Sequence, residues 1–163
     1  MEPIKKIMVA VDFTAYSEEL LSYAARITEI MNAELIVANI INRRDVEAVG
    51  TVAAMGYEVD SEHYVSGIKQ ERRQSLDRIL QKISFPAAKV RAIFKIGQPA
   101  DELLKIVIQE NIDLVVMGIK GRSELEHFLV GSLAEKLFRR SPVPILSFRD
   151  QKSAERLRKQ IHI

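Results

Sequence analysis

Asp113–Met117 (DLVVM) begins the stretch that decides the fold; Gly118-Ile119-Lys120-Gly121 follows it directly, and Gly131-Ser132 comes after nine intervening residues. The first part is a short apolar run, as expected for a buried strand of a parallel sheet. Leu133–Phe138 follows and reads as a helix. A glycine-bounded loop that leads from a strand into a helix presents helix-initial N–H groups and the positive end of the helix dipole. We therefore expect this loop to bind an anion, most economically the phosphates of a nucleotide.

Strand and helix patterns alternate along the rest of the chain. Apolar runs predict four further strands, at Lys6–Val11, Glu34–Ile41, Lys89–Ile96 and Val143–Phe148. Apolar residues at helical spacing separate these runs. The alternation predicts one α/β domain with an open parallel five-stranded sheet and helices on both faces. Ligands bind such sheets outside the carboxyl ends of the strands, where the strand order reverses, so Asp12 and Gly118 would face one crevice.

Two segments depart from this alternation. Residues 42–62 lack periodicity and contain Gly50 and Gly56, which predicts a long, mobile loop. Residues 150–163 are rich in Lys and Arg and also carry Leu157, Ile161 and Ile163. Either a short amphipathic helix or a frayed end is compatible with that tail. We expect most of its charges to be solvated, with an acidic partner or nucleic acid as the less favoured alternative.

Composition excludes several classes of function. The 163 residues suit one domain, and 47% hydrophobic residues can fill a core. A net charge of +2 makes nucleic acid an unlikely partner, and the absence of cysteine excludes thiolate chemistry and disulfides. The N-terminus lacks the apolar core of a signal peptide and no apolar run reaches about 20 residues, so we expect a cytoplasmic protein without a membrane span.

Catalytic and metal-binding signals are weak. The three histidines are far apart and none pairs with acidic residues at ligand spacing, so we predict no metal site. The dinucleotide fingerprint, the P-loop and the nucleophile elbow are all missing. No carboxylate pair or arginine finger is clearly aimed at the glycine loop, and hydrolysis needs such groups. We therefore predict no catalytic residues and slow or no turnover.

Three features resemble the ATP-binding branch of the universal stress protein family. They are the strand ending Val9–Thr14, the pattern Gly118-x2-Gly121-x9-Gly131-Ser132, and the ending Ser141–Leu146. The resemblance covers about residues 4–149 in element order. It implies an adenine nucleotide alpha hydrolase-like fold with strand order 3-2-1-4-5. It also divides the chain into a nucleotide-binding domain over 1–149 and a basic C-terminal tail over 150–163.

The same resemblance implies a ligand and the residues that contact it. The ligand would be ATP, or AMP or ADP, with Mg²⁺ on the phosphates. The nucleoside would contact Asp12, Ile40, Met117 and Gly118. The phosphates would contact Arg122, Gly131, Ser132 and Leu133, while Gly121, like Gly118, would let the backbone approach the ligand. Each residue also has a plainer interpretation: Asp12 as a turn cap, Ser132 as a helix cap, and Ile40 and Met117 as core.

Three functions remain open at this point. The first is an ATP-binding regulatory protein of the stress response. The second is a weak ATPase or phosphotransferase on the same site. The third is a nucleotide-free dimeric interaction module. We also expect a homodimer, since Pro144 indicates that the Val143–Phe148 strand is a sheet edge, and an apolar edge invites pairing with a second copy. Another protein partner is expected, but the sequence does not identify it.

Overall fold

The computed structural model describes residues 3–58, 60–119 and 131–161. The strands within these ranges are β1 Lys6–Ala10, β2 Glu34–Asn42, β3 Val90–Gly97, β4 Leu114–Gly118 and β5 Ile145–Phe148. The helices are α1 Ser17–Met31, α2 Arg43–Ala54, α3 Ser61–Lys82, α4 Pro99–Gln109, α5 Ser132–Arg140 and α6 Gln151–Arg158. A 3₁₀ turn at Ala87–Lys89 precedes β3.

The five described strands form one parallel sheet in the order β3-β2-β1-β4-β5. This confirms the predicted fold class and strand order. β1 is the central strand and pairs with β2 on one side and β4 on the other, with Ala10 opposite both Ala38 and Met117. After β1 the chain therefore adds β2 and β3 on one side of the sheet, and then crosses back to add β4 and β5 on the other side. This reversal opens a crevice at the carboxyl ends of β1 and β4.

Helices cover both faces of the sheet, as the continuous apolar strands require. Alternate residues of β1 point to opposite faces, because successive side chains of a strand alternate. Ile7 and Val9, both 0% exposed, pack in a core with α1 and α3. Met8, also 0% exposed, packs in a second core with α4 and α5. The strand ends that border the crevice are therefore anchored in two filled cores.

The predicted loop over residues 42–62 is wrong for most of its length, because Arg43–Ala54 forms helix α2. The Asn42 side chain caps this helix by accepting a hydrogen bond from the Arg44 N–H at 3.1 Å. Asp60 caps α3 in the same way, accepting from Glu62 N–H at 3.1 Å. None of the residues of α2 is buried. Its apolar stripe, Val46, Val49 and Ala53, is short, only half-buried and contains Gly50, so the cap is the clearer signal of this helix.

Strand β5 is shorter than predicted, since it begins at Ile145 rather than Val143. The Ser141 hydroxyl donates to the Val143 carbonyl at 2.8 Å and accepts from the Val143 N–H at 3.3 Å. These bonds hold Val143 in a turn, and Pro144 has no N–H to offer a ladder. β5 nevertheless lies at the edge of the sheet, as the proline indicates.

Candidate functional site

A cleft of about 650 Å³ lies at the carboxyl ends of the strands. That volume falls within the range of small-molecule and cofactor sites, roughly 300–1,000 Å³. Its floor comes from the ends of β1, β2 and β4, and its sides come from the starts of α1, α4 and α5. Helices α2 and α6 and the end of β5 add further lining. The cleft therefore lies at the point where the strand order reverses.

Seven of the nine residues predicted to contact a ligand line this one cleft. They are Asp12, Ile40, Met117, Gly118, Gly131, Ser132 and Leu133. The other two, Gly121 and Arg122, lie outside the described residues. Residues separated by more than a hundred positions in the chain are thus brought together by the sheet order. Their roles in binding remain a prediction.

The Asp12 carboxylate is held in place by the turn that follows β1. Its Oδ1 atom accepts hydrogen bonds from the Thr14 N–H at 3.1 Å, the Thr14 hydroxyl at 2.8 Å and the Ser17 hydroxyl at 3.2 Å. The same side chain lines the cleft. Turn capping and ligand contact are therefore compatible at this residue. The bonds leave the carboxylate in a fixed orientation, which lowers the entropic cost of binding a hydroxyl or amino donor.

The beginning of α5 is the part of the cleft best suited to an anion. Gly131 occupies the N-cap with φ −59° and ψ 148°, and no side chain caps the helix there. The Gly131 N–H donates to the Ile119 carbonyl at 3.0 Å, so this amide is already used within the protein. Ser132 and Leu133 are the first residues of the helix, and amides at these positions have no partner within a helix. The helix dipole adds partial positive charge at the same end.

A buried polar network beneath the cleft escaped the sequence analysis. Asn39 is 2% exposed and donates from Nδ2 to the Val11 carbonyl at 2.6 Å. Its Oδ1 atom accepts from the guanidinium of Arg72, which is 9% exposed on α3. The network ties the end of β1 to the end of β2 just below the cleft. Two signals pointed to it, namely an asparagine inside an apolar strand and an arginine inside an apolar helix stripe.

The second missed contribution comes from helix α6, in the predicted basic tail. The Asp150 side chain caps α6 by accepting from the Ser153 N–H at 2.8 Å, and the two residues are 8% and 6% exposed. The Gln151 N–H donates to the Glu19 carboxylate on α1 at 3.2 Å. Asp150, Ser153, Arg156 and Leu157 all line the cleft. The sequence left a short amphipathic helix or a frayed end open for the tail, and the tail forms the helix over Gln151–Arg158.

Within residues 3–58, 60–119 and 131–161, no group of three or more His, Cys, Asp or Glu side chains is placed to hold a metal ion. No helix in these ranges is both long enough and apolar enough to cross a lipid bilayer.

The fold and the cleft define an α/β protein with a ligand crevice at the switch point of a parallel sheet. The model of the universal stress protein family matches residues 3–149. This match covers most of the chain, and the chain therefore belongs to the universal stress protein family. The resemblance to this family, noted from three short motifs, is confirmed at the level of the family.

Two curated relatives extend this result. The chain is 25% identical over 150 residues to universal stress protein MJ0577 of Methanocaldococcus jannaschii, covering 87% of this chain and 93% of the relative. It is 28% identical over 149 residues to universal stress protein YxiE of Bacillus subtilis, covering 88% and 98%. The similarity therefore runs along nearly the whole of each relative.

Three solved structures share the fold. MJ0577 superposes with a TM-score of 0.73 at 24% identity, covering 92% of this chain and 99% of its own. A universal stress protein in complex with cAMP superposes with a TM-score of 0.63 at 21% identity, covering 91% and 98%. One from Archaeoglobus fulgidus in complex with dAMP gives 0.62 at 14% identity, covering 91% and 100%. Two proteins of this fold thus hold adenine nucleotides.

Proposed function

We propose that this protein binds ATP in the cleft and acts as a nucleotide-dependent regulator in the response to stress. The observation that carries the proposal is the joint lining of one cleft by Asp12, Ile40, Gly118 and the first turn of α5. These groups come from three neighbouring strands and one helix N-terminus. Together they offer an apolar surface, a fixed carboxylate and a dipole for phosphate, which are the parts a nucleotide requires. The cAMP and dAMP complexes of two proteins with this fold support the same ligand class.

The order of the strands suggests how the nucleotide lies. Ile40 is half-buried at the end of β2 and would pack on the adenine. Asp12 follows β1, the next strand, and would accept a hydrogen bond from the ribose. Met117 and Gly118 end β4, and the first residues of α5, Ser132 and Leu133, would bind the phosphates. Base, sugar and phosphate would thus follow the order β2, β1, β4 along the sheet edge.

Regulation would require that nucleotide binding change a surface seen by a partner. A ligand shifts a conformational equilibrium only by its difference in affinity for the two states. Helix α2 is a suitable element, because it lines the cleft through Asp45 and none of its residues is buried.

Mg²⁺ would be held mainly by the phosphate oxygens, as is usual for this ion. The edge strand β5 would form the homodimer contact, which light scattering on the purified protein can test.

The decisive experiment is calorimetric titration of ATP into the purified protein and a Gly131→Val variant. The backbone of Gly131, at φ −59°, can be adopted by any residue, so the fold should tolerate valine. The added side chain would stand at the start of α5, where the phosphates must approach. We expect ATP binding by the variant to become too weak to measure.

Gly67→Val is the matched control, because a Cβ at Gly67 has no heavy atom within 4 Å. This variant should bind ATP as the wild type does. Wild-type protein that binds no nucleotide would refute the proposed function. Equal affinity in the Gly131→Val variant would refute the placement of the phosphates.

A further inference from the structure

Helix α6 presents one face to the cleft. Ser153, Arg156 and Leu157 line the cleft, and they are spaced three and four residues apart, as neighbours on one helix face are. Arg158 lies off this face, is exposed and is not among the lining residues. The helix is anchored at its start by the buried Asp150 cap and by the bond from Gln151 to Glu19. Arg156 is therefore held beside the cleft by a supported element.

The position of α6 along the sheet tells which part of a nucleotide it would meet. α6 follows β5, which pairs with β4, and Phe148 lies opposite Gly118. The β2 end of the cleft, with Ile40, lies on the other side of β1. A nucleotide with its base at β2 and its first phosphate at β4 and α5 would extend its outer phosphates toward β5 and α6.

Charge in the described lining agrees with this direction. At the β2 and α2 side, the charged lining residue is Asp45. At the β5 and α6 side, the lining includes two cations, Arg149 and Arg156, together with Asp150, whose carboxylate caps α6. Arg149 is exposed, whereas Arg156 is half-buried and can meet a phosphate in a less polar setting. A guanidinium there would form strong charge-assisted hydrogen bonds to phosphate oxygens.

We propose that Arg156 binds the outer phosphates of the nucleotide and makes the site prefer a triphosphate over a monophosphate. This proposal rests on the nucleotide-binding function proposed above. Arg156 lies beyond residues 3–149, the range matched by the family model. The preference is therefore a property that this chain adds to the family domain through its own last helix.

The test is calorimetric titration of ATP and of AMP into three full-length proteins: wild type, Arg156→Gln and Arg158→Gln. Hydrogen bonds to charged groups contribute enough that losing this one should weaken ATP binding about 10- to 100-fold. AMP lacks the outer phosphates, so its affinity should change by about twofold at most. Arg158→Gln keeps the same helix and loses the same charge away from the cleft, and its ATP affinity should match the wild type.

The ratio of ATP to AMP affinity is the deciding readout, because a purely structural role would weaken both ligands together. Equal losses for ATP and AMP, or an Arg156→Gln variant as tight as Arg158→Gln, would overturn the proposal. Arg156→Lys keeps the charge and should retain part of the preference, and it provides the test if the glutamine variant does not fold. Wild-type protein that binds ATP and AMP equally would also overturn it. Failure of the wild type to bind either ligand would instead refute the proposed function.

Discussion

The cleft has two kinds of wall, and they differ in how they are anchored. The strand wall consists of Asp12, Ile40, Met117 and Gly118 at the ends of β1, β2 and β4. The helix wall consists of Asp45 on α2 with Ser153, Arg156 and Leu157 on α6. The strands that carry the strand wall are embedded in filled cores, where residues such as Val9, Val37 and Val116 are 0% exposed. By contrast, α2 has no buried residue and α6 has one, Ser153.

This difference separates what the fold requires from what a particular chain can adjust. Moving the strand wall would disturb the two cores, and a tightly packed interior resists such changes. The helix wall can change its side chains without repacking the sheet. We infer that the strand wall sets the class of ligand and the helix wall sets the choice among its members. Substitutions that disturb the contacts supporting the strand wall should then cost stability, while those in the helix wall should act on binding or on local order.

The largest effect on stability should come from Arg72→Met, which breaks the network that supports the strand wall. Asn39 Oδ1 would lose its charged donor in a buried position. An unsatisfied buried polar group costs about 1–3 kcal/mol, and we expect the upper part of that range because the donor is charged. Urea denaturation followed by circular dichroism would measure the loss.

The adjacent Arg73 provides a matched control for that substitution. Arg73 is exposed and its guanidinium lies 6.0 Å from the centroid of the Phe94 ring. An exposed cation–π contact contributes about 0.5–1 kcal/mol, so Arg73→Met should cost less than Arg72→Met. Equal losses from the two substitutions would mean that the Asn39 network does not hold the strand wall.

Substitutions of Asp12 should have a smaller effect on stability than Arg72→Met and a more specific effect on ATP binding. Asp12→Ala removes the acceptor of three hydrogen bonds and should cost about 1 kcal/mol, like the loss of a cap. Asp12→Asn keeps an oxygen acceptor for the turn and should leave stability nearly unchanged. It should still weaken ATP binding about five- to tenfold, because a hydrogen bond to a neutral group is weaker than one to a carboxylate.

Thermal unfolding and calorimetry on the two Asp12 variants separate its two roles. An Asp12→Asn variant with wild-type affinity for ATP would reduce this residue to a turn cap. Loss of stability in both variants to the same extent would show that the carboxylate charge, rather than an acceptor oxygen, holds the turn.

The contrast between the walls also explains what the sequence could predict. The inner strands β1, β2 and β4 were visible because they are buried on both faces, which makes them apolar runs such as Leu114–Met117. Most of their predicted bounds lie within a residue of those observed. β5 differs by two residues because Ser141 holds Val143 in a turn. With the alternation of helices, these runs placed Asp12 and Gly118 at one crevice without any knowledge of contacts.

The helix wall was missed for a physical reason. Helix α2 has only a short, half-buried apolar stripe, Val46, Val49 and Ala53, with Gly50 inside it, and its start is marked by Asn42 with Asp45 three residues later. For α6, the sequence offered Asp150 and Ser153 at capping distance. Their burial depends on contacts with the rest of the domain that no local pattern records. The side chains of Asp45 and Arg156 therefore reached the cleft without a signal in the sequence.

The smallest predicted effects on stability come from two glycines in and beside α2, the helix that carries Asp45 of the helix wall. Gly50 lies inside α2, where a Cβ would make an ordinary contact of 3.5 Å with the Ser61 hydroxyl oxygen. Gly50→Ala should therefore stabilise the protein by about 0.5–1 kcal/mol, the usual gain from replacing glycine in a helix. Gly56, just beyond α2, has φ +92° and no heavy atom within 4 Å of a Cβ. Gly56→Ala should destabilise by a similar amount through backbone strain alone.

The opposite signs of these two changes in stability distinguish a helix over residues 43–54 from a loop. If residues 42–62 formed the mobile loop that their composition suggests, alanine at either position would act mainly on the unfolded chain, and the two shifts in unfolding temperature would have the same sign. A stabilising Gly50→Ala with a destabilising Gly56→Ala requires a helix that ends between them. Amide hydrogen exchange would locate this helix in the sequence, because Gly50→Ala should slow exchange within Arg43–Ala54 and leave the exchange rates of the strands unchanged.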